Sequence, residues 1–267
     1  MPDTTYSHGH DEGVLRSHRW RTADNSAAYL LPRLGPGTSL LDVGCGPGTI
    51  TADLARAVAP GRVVGIDAAP SVVAEARATA DAAGLSHVTF EVADLFALPF
   101  PDDTFDVVHA HQVLQHVADP VRALVEMRRV CRPGGLVAAR DGDYPAFTFA
   151  PAEPDLTRSI AAYGELTRTN RAHWDAGRHL LGWAHAAGFP EVDASASVWC
   201  FATEGEREWW GGLWADRFTA SSMADQLLEH GIADRTVLAE FAGGWRRWAS
   251  SPDGWFAALH GEILATA

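Results

Sequence analysis

The residues best placed to do chemistry lie in one short loop, LLDVGCGPGT, at residues 40–49. Gly44, Gly46 and Gly48 follow an apolar run and precede a helical pattern. Glycines in this position let backbone N–H groups approach a nucleotide at a helix N-terminus. Asp42 lies directly before them, although most nucleotides are anions that a carboxylate repels. The loop therefore predicts a nucleotide site that favours positive charge on its ligand.

Two more aspartates follow later predicted strands. Asp67 ends the second strand, about 20 residues further on, where a carboxylate can accept hydrogen bonds from ribose hydroxyls. Asp94 follows the third strand, and in an open α/β sheet such loops converge on one crevice beyond the carboxyl ends of the strands. S-adenosylmethionine carries a sulfonium and an ammonium group, so it suits this crevice electrostatically. We expect Asp42 near its methionine end, Asp67 at its ribose and Asp94 at its adenine amino group.

The elements that position these residues alternate between short β-branched runs and alanine-rich helical stretches from residue 39 to residue 140. This alternation is typical of βαβ units with a parallel sheet and right-handed crossovers. Helices are predicted over residues 49–58 and 71–83, and a third begins at Asp119 and Pro120. Five buried strands are predicted at SLLDV, RVVGID, VTFEVA, FDVVHA and LVAAR.

The pattern changes beyond residue 140. Residues 141–175 have no sustained periodicity, so we expect a long connection that folds over the site. AGRHLLGWAHAAGF then predicts a helix, EVDASASVWCFAT a strand, and residues 204–250 a tryptophan-rich helical stretch. WFAALHGEILATA predicts a last strand.

Four segments follow from these expectations. Residues 1–36 form an N-terminal cap, and residues 37–203 form the cofactor-binding core with a substrate-loop insertion near 141–175. Residues 204–250 form a helical lid, and residues 251–267 return the last strand to the core.

Four successive motifs resemble those of class I S-adenosylmethionine-dependent methyltransferases. They are DVGCGPGT at 42–49, GID at 65–67, ADL at 93–95 and FDVVHAHQVLQHV at 105–117. More narrowly, they resemble the ubiquinone and menaquinone biosynthesis type, also called methyltransferase type 11. The resemblance covers about residues 20–140. It implies a Rossmann-like, doubly wound, seven-stranded α/β sheet with its last strand antiparallel, an N-terminal cap and a helical insertion before the last strand.

The resemblance also implies a set of cofactor-binding residues. Arg21 is the candidate partner of the cofactor carboxylate, because a guanidinium can bind a carboxylate with two hydrogen bonds. A solvated arginine on an N-terminal helix is the alternative at that position. The predicted cofactor-binding residues are Arg21, Asp42, Gly44, Cys45, Gly46, Gly48, Thr49, Asp67, Ala68, Ala93, Asp94, Leu95 and His111.

Methyl transfer needs an aligned nucleophile and, for many substrates, removal of a proton. His111 and His116 follow the fourth strand, where the resembling family faces its substrate, so they are catalytic candidates. His109 lies on the strand itself, where a buried histidine with a backbone partner is an equal alternative.

Further catalytic candidates lie outside that loop. Asp141, Asp143 and Tyr144 follow the fifth strand at the same edge of the sheet, although a turn built from Asp and Gly explains the same letters. His8 is a candidate from the N-terminal segment, together with Tyr6 and Trp20 as residues that could cap the cofactor.

Composition excludes several other functions. The formal charge of −13 gives no broad attraction for phosphate backbones, so we expect no nucleic-acid partner. All 21 basic residues are arginine, which removes Schiff-base and Walker-lysine chemistry. The three cysteines lie far apart in the sequence, which favours a reducing compartment. The sequence has no cluster of potential ligands that would predict a metal site. No run is long enough for membrane insertion. We expect a cytoplasmic monomer or homodimer.

Seven of the ten tryptophans lie from Trp199 onward. Such a stripe is more often core packing than a ligand box, but an aromatic lid would suit a flat, apolar substrate. We therefore expect a small-molecule acceptor with an aromatic or heteroaromatic portion, such as a specialised metabolite. The alternatives are an NAD(P)-dependent oxidoreductase that uses the same glycine loop, a non-catalytic S-adenosylmethionine-binding protein, and, for the loop alone, a tight structural turn.

Overall fold

A computed structural model of the protein describes residues 17–267. Within this range eight strands form one sheet. The strands are β1 (Leu40–Val43), β2 (Val63–Asp67), β3 (Val88–Val92), β4 (Phe105–His111), β5 (Cys131–Gly142), β6 (Thr148–Ala150), β7 (Glu191–Phe201) and β8 (Trp255–Thr266).

The strand order is β3-β2-β1-β4-β5-β8-β6, and β7 also pairs with β8. Strands β1 to β5 pair in parallel, whereas β8 runs antiparallel to β5 and β7. The α/β class and the antiparallel last strand are therefore confirmed. Parallel pairing brings the carboxyl ends of β1 to β4 to one edge, which is where the predicted loops meet.

The eighth strand is the difference from the expected seven. Because β7 occupies one edge of β8, the short β6 pairs along the other edge, beyond the end of β5. Three residues are too few to produce a readable alternation, so the sequence pattern does not predict this strand.

Besides the helical residues 17–19, nine α-helices accompany the sheet in residues 17–267. They are α1 (Ala23–Ser26), α2 (Thr49–Val58), α3 (Pro70–Ala82), α4 (Pro120–Val130), α5 (Pro154–Thr169), α6 (Ala176–Ala186), α7 (Glu204–Arg217), α8 (Ser222–Glu229) and α9 (Arg235–Ser250). The start of α4 follows the predicted signal, since the Asp119 side chain accepts a hydrogen bond from the Arg122 N–H and Pro120 occupies the first helical position.

The expectation that residues 141–175 lack sustained periodicity is wrong, because α5 occupies sixteen of these residues. Leu156, Ile160 and Tyr163 are buried at helical spacing. The Glu153 side chain caps the helix by accepting from the Asp155 N–H. Prolines and aromatic residues at the flanks obscure this periodicity in the sequence.

The tryptophan-rich helices pack over the first residues of β8. Trp214 and Trp245 are fully buried and stack with ring centroids 5.2 Å apart. Trp245 also packs against Phe256 of β8, and its Nε1–H donates to Ser159 Oγ at 3.0 Å. Most of the tryptophan stripe is therefore core that joins the helical insertion to the sheet. In residues 17–267 no helix is both long enough and apolar enough to span a membrane.

Candidate functional site

A cavity of about 1200 Å³ lies beyond the carboxyl ends of β1 to β4. One end, which we call the glycine-loop end, is lined by residues of the loops after β1, β2 and β3. The other, the aromatic end, is lined by Trp20, Tyr144, Phe147, Trp199, Trp209 and Trp210. The predicted cofactor-binding residues that line the cavity are Arg21, Asp42, Gly44, Cys45, Gly46, Thr49, Asp67, Ala68, Ala93, Asp94, Leu95 and His111.

The glycine loop needs its glycines for two different reasons. Gly44 and Gly46 have positive φ angles of 65° and 54°, and a Cβ on Gly44 would overlap the side chain of Val113. Gly48 does not line the cavity. A Cβ there would lie 3.1 Å from Ala76 Cα, so this glycine lets α2 pack closely on α3. The role of Gly48 in the structure is therefore helix packing, which differs from the predicted contact with a ligand.

The Asp67 carboxylate ties two loops together at the end of β2. Its Oδ2 accepts from the Gly46 N–H at 3.2 Å and its Oδ1 accepts from the Ala69 N–H at 3.0 Å. The side chain is half-buried and lines the cavity, so it can fix the loop and meet a ligand at once. Asp94 is exposed, and its Oδ1 accepts from the Phe96 N–H at 2.8 Å.

Asp42 lies at the floor of the cavity, but its carboxylate is already occupied. It is 3% exposed, and its oxygens accept hydrogen bonds from Thr51 Oγ1 and from His109 Nδ1 at 2.7 Å. His109 is fully buried, as one of the two alternatives predicts, but its partner is this carboxylate and not a backbone group. Both carboxylate oxygens of Asp42 thus already accept a hydrogen bond from the protein.

His111 is held as a neutral base. It is 6% exposed and lines the cavity, and neither ring nitrogen has a hydrogen-bond partner among residues 17–267. Burial, followed by the positive charges of Arg21 and Arg140, lowers its pKa well below the ordinary value. An uncharged imidazole with free nitrogens can accept a proton from a bound ligand.

His116 also lines the cavity, but it is already engaged. Its Nε2 lies 2.9 Å from Gln115 Nε2. The amide nitrogen of glutamine can only donate, so His116 Nε2 is the acceptor. Burial, followed by the positive charges of Arg21 and Arg217, lowers the His116 pKa to about 3. One ring nitrogen of His116 is therefore occupied, whereas neither ring nitrogen of His111 has a hydrogen-bond partner among the described residues.

A directed hydrogen-bond chain crosses the cavity wall. Arg21 Nη2 donates to Gln112 Oε1 at 2.6 Å, and Gln112 Nε2 lies 2.8 Å from His260 Nε2. His260 Nδ1 lies 3.0 Å from the Ala258 carbonyl oxygen, so Nδ1 carries the proton and Nε2 accepts. Burial lowers the His260 pKa well below its ordinary value. Gln112 adopts a φ of 53°, which marks a constrained residue at the site.

Sequence reasoning missed Gln112 and His260. Gln112 lies within the motif at 105–117, next to His111, which is the only signal that could have found it. His260 lies in an apolar strand at the other end of the chain. It reaches the cavity because β8 is inserted beside β5.

Of the two predicted site residues after β5, Tyr144 lines the cavity and Asp143 does not. Tyr144 lines the cavity and packs against Phe147 with centroids 4.6 Å apart. Asp143 does not line it, because Arg178 Nε and Nη2 bind both carboxylate oxygens, at 2.6 and 2.5 Å. The expectation that Asp143 faces a substrate is therefore corrected. His8 lies outside the described residues, as does Tyr6.

Indole and phenyl rings form the wall of the aromatic end. Trp20 lies 5.2 Å from Trp199 and 5.1 Å from Trp209, centroid to centroid. Trp199 is fixed by its Nε1–H, which donates to the Asn25 carbonyl oxygen at 2.6 Å, and its ring lies 4.3 Å from that of His260. In residues 17–267 no group of three or more His, Cys, Asp or Glu side chains is arranged to hold a metal.

Comparison with known proteins agrees with this geometry. A family model described as a methyltransferase domain matches residues 34–191. The chain is 35% identical to an uncharacterized methyltransferase of Schizosaccharomyces pombe, over 97% of this chain and 95% of that protein. It is 31% identical to a probable methyltransferase of Aspergillus luteorubrus, over 97% and 96%. The crystal structure of the YcgJ protein of Bacillus subtilis shares the fold, with a TM-score of 0.60 and 18% identity over 90% of this chain and 97% of that one.

The fold and these relatives define a class I S-adenosylmethionine-dependent methyltransferase. The chain belongs to the methyltransferase domain family. Its cofactor is S-adenosylmethionine, so the oxidoreductase alternative is not supported.

The residues at the glycine-loop end fit that cofactor. The backbone at Gly44 and Gly46 has no side chain to hold a ligand away, and the Asp67 carboxylate lines the same space. Arg21 also lines the cavity, with its guanidinium carbon 5.6 Å from the Trp199 ring centroid, and a guanidinium can bind a carboxylate.

Proposed function

We propose that the methyl acceptor is a small molecule with a flat aromatic or heteroaromatic portion, of the kind found among specialised metabolites. The observation that carries this proposal is the aromatic end of the cavity. Trp20, Trp199 and Trp209 line it with ring faces and edges, which bind planar apolar groups well.

We propose further that Asp67 holds the ribose, Asp94 the adenine amino group and Arg21 the carboxylate of the cofactor. All three side chains line the cavity. Asp42 would act on the cofactor indirectly, because its carboxylate already accepts hydrogen bonds from Thr51 and His109. Bound S-adenosylmethionine supplies an electrophilic methyl group on a positively charged sulfur.

His111 is the proposed general base. The acceptor atom gives an electron pair to the methyl carbon, the bond from sulfur to that carbon breaks, and sulfur keeps the bonding pair. The proton released from the acceptor goes to His111, whose imidazole is neutral and has unpartnered nitrogens among the described residues. Tyr144 and the tryptophans would exclude water from the reacting atoms.

Transfer of radiolabelled methyl groups from S-adenosylmethionine into a panel of aromatic hydroxyl and amine compounds tests the proposal. His111→Gln should lower kcat by about 100-fold or more, because general bases contribute 10² to 10⁴. Affinity for S-adenosylhomocysteine should stay within a few-fold of the wild type. His179→Gln, which changes an exposed histidine outside the cavity, is the matched control. Full activity of His111→Gln would remove this residue from the mechanism, and persistent silence with tight cofactor binding would favour a non-catalytic protein.

A further inference from the structure

A buried ion pair lies behind the wall of the cavity. Arg140 of β5 is 1% exposed, Glu262 of β8 is 5% exposed, and the two residues lie opposite each other in the sheet. Arg140 Nε donates to Glu262 Oε1 at 3.1 Å, and neither side chain lines the cavity. Taking two charges out of water costs free energy that their attraction often fails to recover, so such a pair is weak evidence for a role in stability. Its position points instead to a task that needs a fixed guanidinium.

Two serine hydroxyls of β7 fix the carboxylate of this pair. Ser195 Oγ donates to Glu262 Oε2 at 2.8 Å. Ser197 Oγ donates to Glu262 Oε1 and accepts from Arg140 Nε at 3.0 Å. The pair is therefore anchored on three neighbouring strands, β5, β8 and β7. Groups held by strands are placed more precisely than groups on loops, so the guanidinium has a defined direction.

The guanidinium faces Trp199, which lines the aromatic end of the cavity. Arg140 Cζ lies 4.9 Å from the Trp199 ring centroid, within the range of a cation–π contact, whereas Arg21 Cζ lies 5.6 Å from it. Neither Nη group of Arg140 has a hydrogen-bond partner among residues 17–267. The contacts that the structure gives this charge are therefore the Glu262 carboxylate, Ser197 and the indole. The Trp199 ring in turn lies 5.7 Å from the ring of His111, centroid to centroid.

We propose that Arg140 is a positioning residue for the methyl acceptor, because it fixes the Trp199 ring against which the acceptor packs. The proposal rests on the aromatic acceptor proposed above, and it adds a residue that does not touch the acceptor. Without the guanidinium the indole loses a contact on its ring while its Nε1–H still donates to the Asn25 carbonyl oxygen, so the ring can turn about that bond. The cofactor binds at the glycine-loop end and should not sense the change.

The test is a double-mutant cycle on the binding of a flat aromatic probe, 2-naphthol. The probe is titrated calorimetrically into the full-length protein saturated with S-adenosylhomocysteine. Arg140→Met should lower the affinity for 2-naphthol by about 10-fold, the scale of a desolvated cation–π contact. Affinity for S-adenosylhomocysteine should stay within about two-fold of the wild type. Glu262 remains hydrogen-bonded in this variant, because Ser195 and Ser197 still donate to it.

The second substitution of the cycle assigns the effect to Trp199. Trp199→Leu removes the ring, so adding Arg140→Met to it should change the affinity for 2-naphthol by less than about two-fold. Arg140→Lys should retain part of the affinity, because the charge remains. Arg207→Met is the matched control, since Arg207 is also buried, at 8% exposed, but lies on α7 outside the cavity. If Arg140→Met does not fold, Glu262→Gln replaces it, because that change loosens the hold on Arg140.

A second measurement follows the indole itself. In protein labelled with 5-fluorotryptophan, the fluorine resonance of Trp199 is assigned by its absence from Trp199→Leu. This resonance should shift or broaden in Arg140→Met and stay unchanged in Arg207→Met. It decides the question if 2-naphthol binds Trp199→Leu too weakly to measure.

Three results would each overturn the proposal: affinity of Arg140→Met within two-fold of the wild type, an equal loss in the Trp199→Leu background, or an unchanged Trp199 resonance. These results reject the positioning residue and leave the aromatic acceptor in place. Failure of the wild type to bind 2-naphthol at millimolar concentration rejects both. Binding of S-adenosylhomocysteine, measured first, separates either failure from failure of the methyltransferase account.

Discussion

Asp141 should make the protein less stable as the pH rises toward neutrality. Its side chain is fully buried at the end of β5, where Oδ1 accepts from the Gln115 N–H at 3.1 Å and Oδ2 has no partner among residues 17–267. Burial raises its pKa from the ordinary 3.8 to about 7. Between these two pH values the folded carboxyl keeps a proton that the unfolded chain has released. The free energy of unfolding therefore falls across this window.

The magnitude follows from the size of the interval. About three pH units at 1.36 kcal/mol each correspond to up to about 4 kcal/mol. Asp141→Asn cannot ionise, so its free energy of unfolding relative to the wild type should rise by that amount between about pH 4 and pH 7 and level off above.

Chemical denaturation of both proteins at several pH values from 4 to 9 provides the measurement. Asp81→Asn, an exposed carboxyl on α3, is the control and should show no such rise. A difference between Asp141→Asn and the wild type that is flat or falls with pH would refute the reasoning.

Three further changes test other parts of the structure. Asp67→Ala should weaken S-adenosylhomocysteine binding by about 1 to 3 kcal/mol, the scale of hydrogen bonds to a charged group, while Asp81→Ala should not. Calorimetry measures both, and unchanged affinity would mean that the ribose lies elsewhere. Gln112→Leu breaks the hydrogen-bond chain across the cavity wall and should weaken the same binding by about 1 kcal/mol, so wild-type affinity would contradict a positioning role. Trp214→Ala should lower the free energy of unfolding by about 3 to 5 kcal/mol in denaturant titrations. Trp255 is half-exposed, so Trp255→Ala should lower the free energy of unfolding far less.

The parallel half of the sheet could be predicted from the sequence because each of its strands is a buried β-branched run followed by a helix. Local pattern and global fold agree there, as in the loop from Asp42 to Gly48. The glycine-loop end of the cavity was predictable for the same reason, since Asp67 and Asp94 follow their strands directly.

The other features of the fold and of the cavity depend on contacts between segments that lie far apart in the sequence. His260 reaches the cavity only through the insertion of β8 beside β5, and no local pattern reports that pairing. Asp143 has the sequence context of a site residue, but Arg178, 35 residues later, binds its carboxylate. Helix α5 was hidden because prolines and aromatic residues flank its buried positions.

Most centrally, we propose that His111 takes the proton of an acceptor that lies against the tryptophans while Asp67 holds the cofactor ribose. A crystal structure with S-adenosylhomocysteine and a methylated product of the protein's own reaction tests this directly. We predict the ribose hydroxyls within hydrogen-bond distance of Asp67, and the methylated atom within reach of His111. A ribose bound away from Asp67, or a methylated atom on the far side of the cavity from His111, would contradict the account.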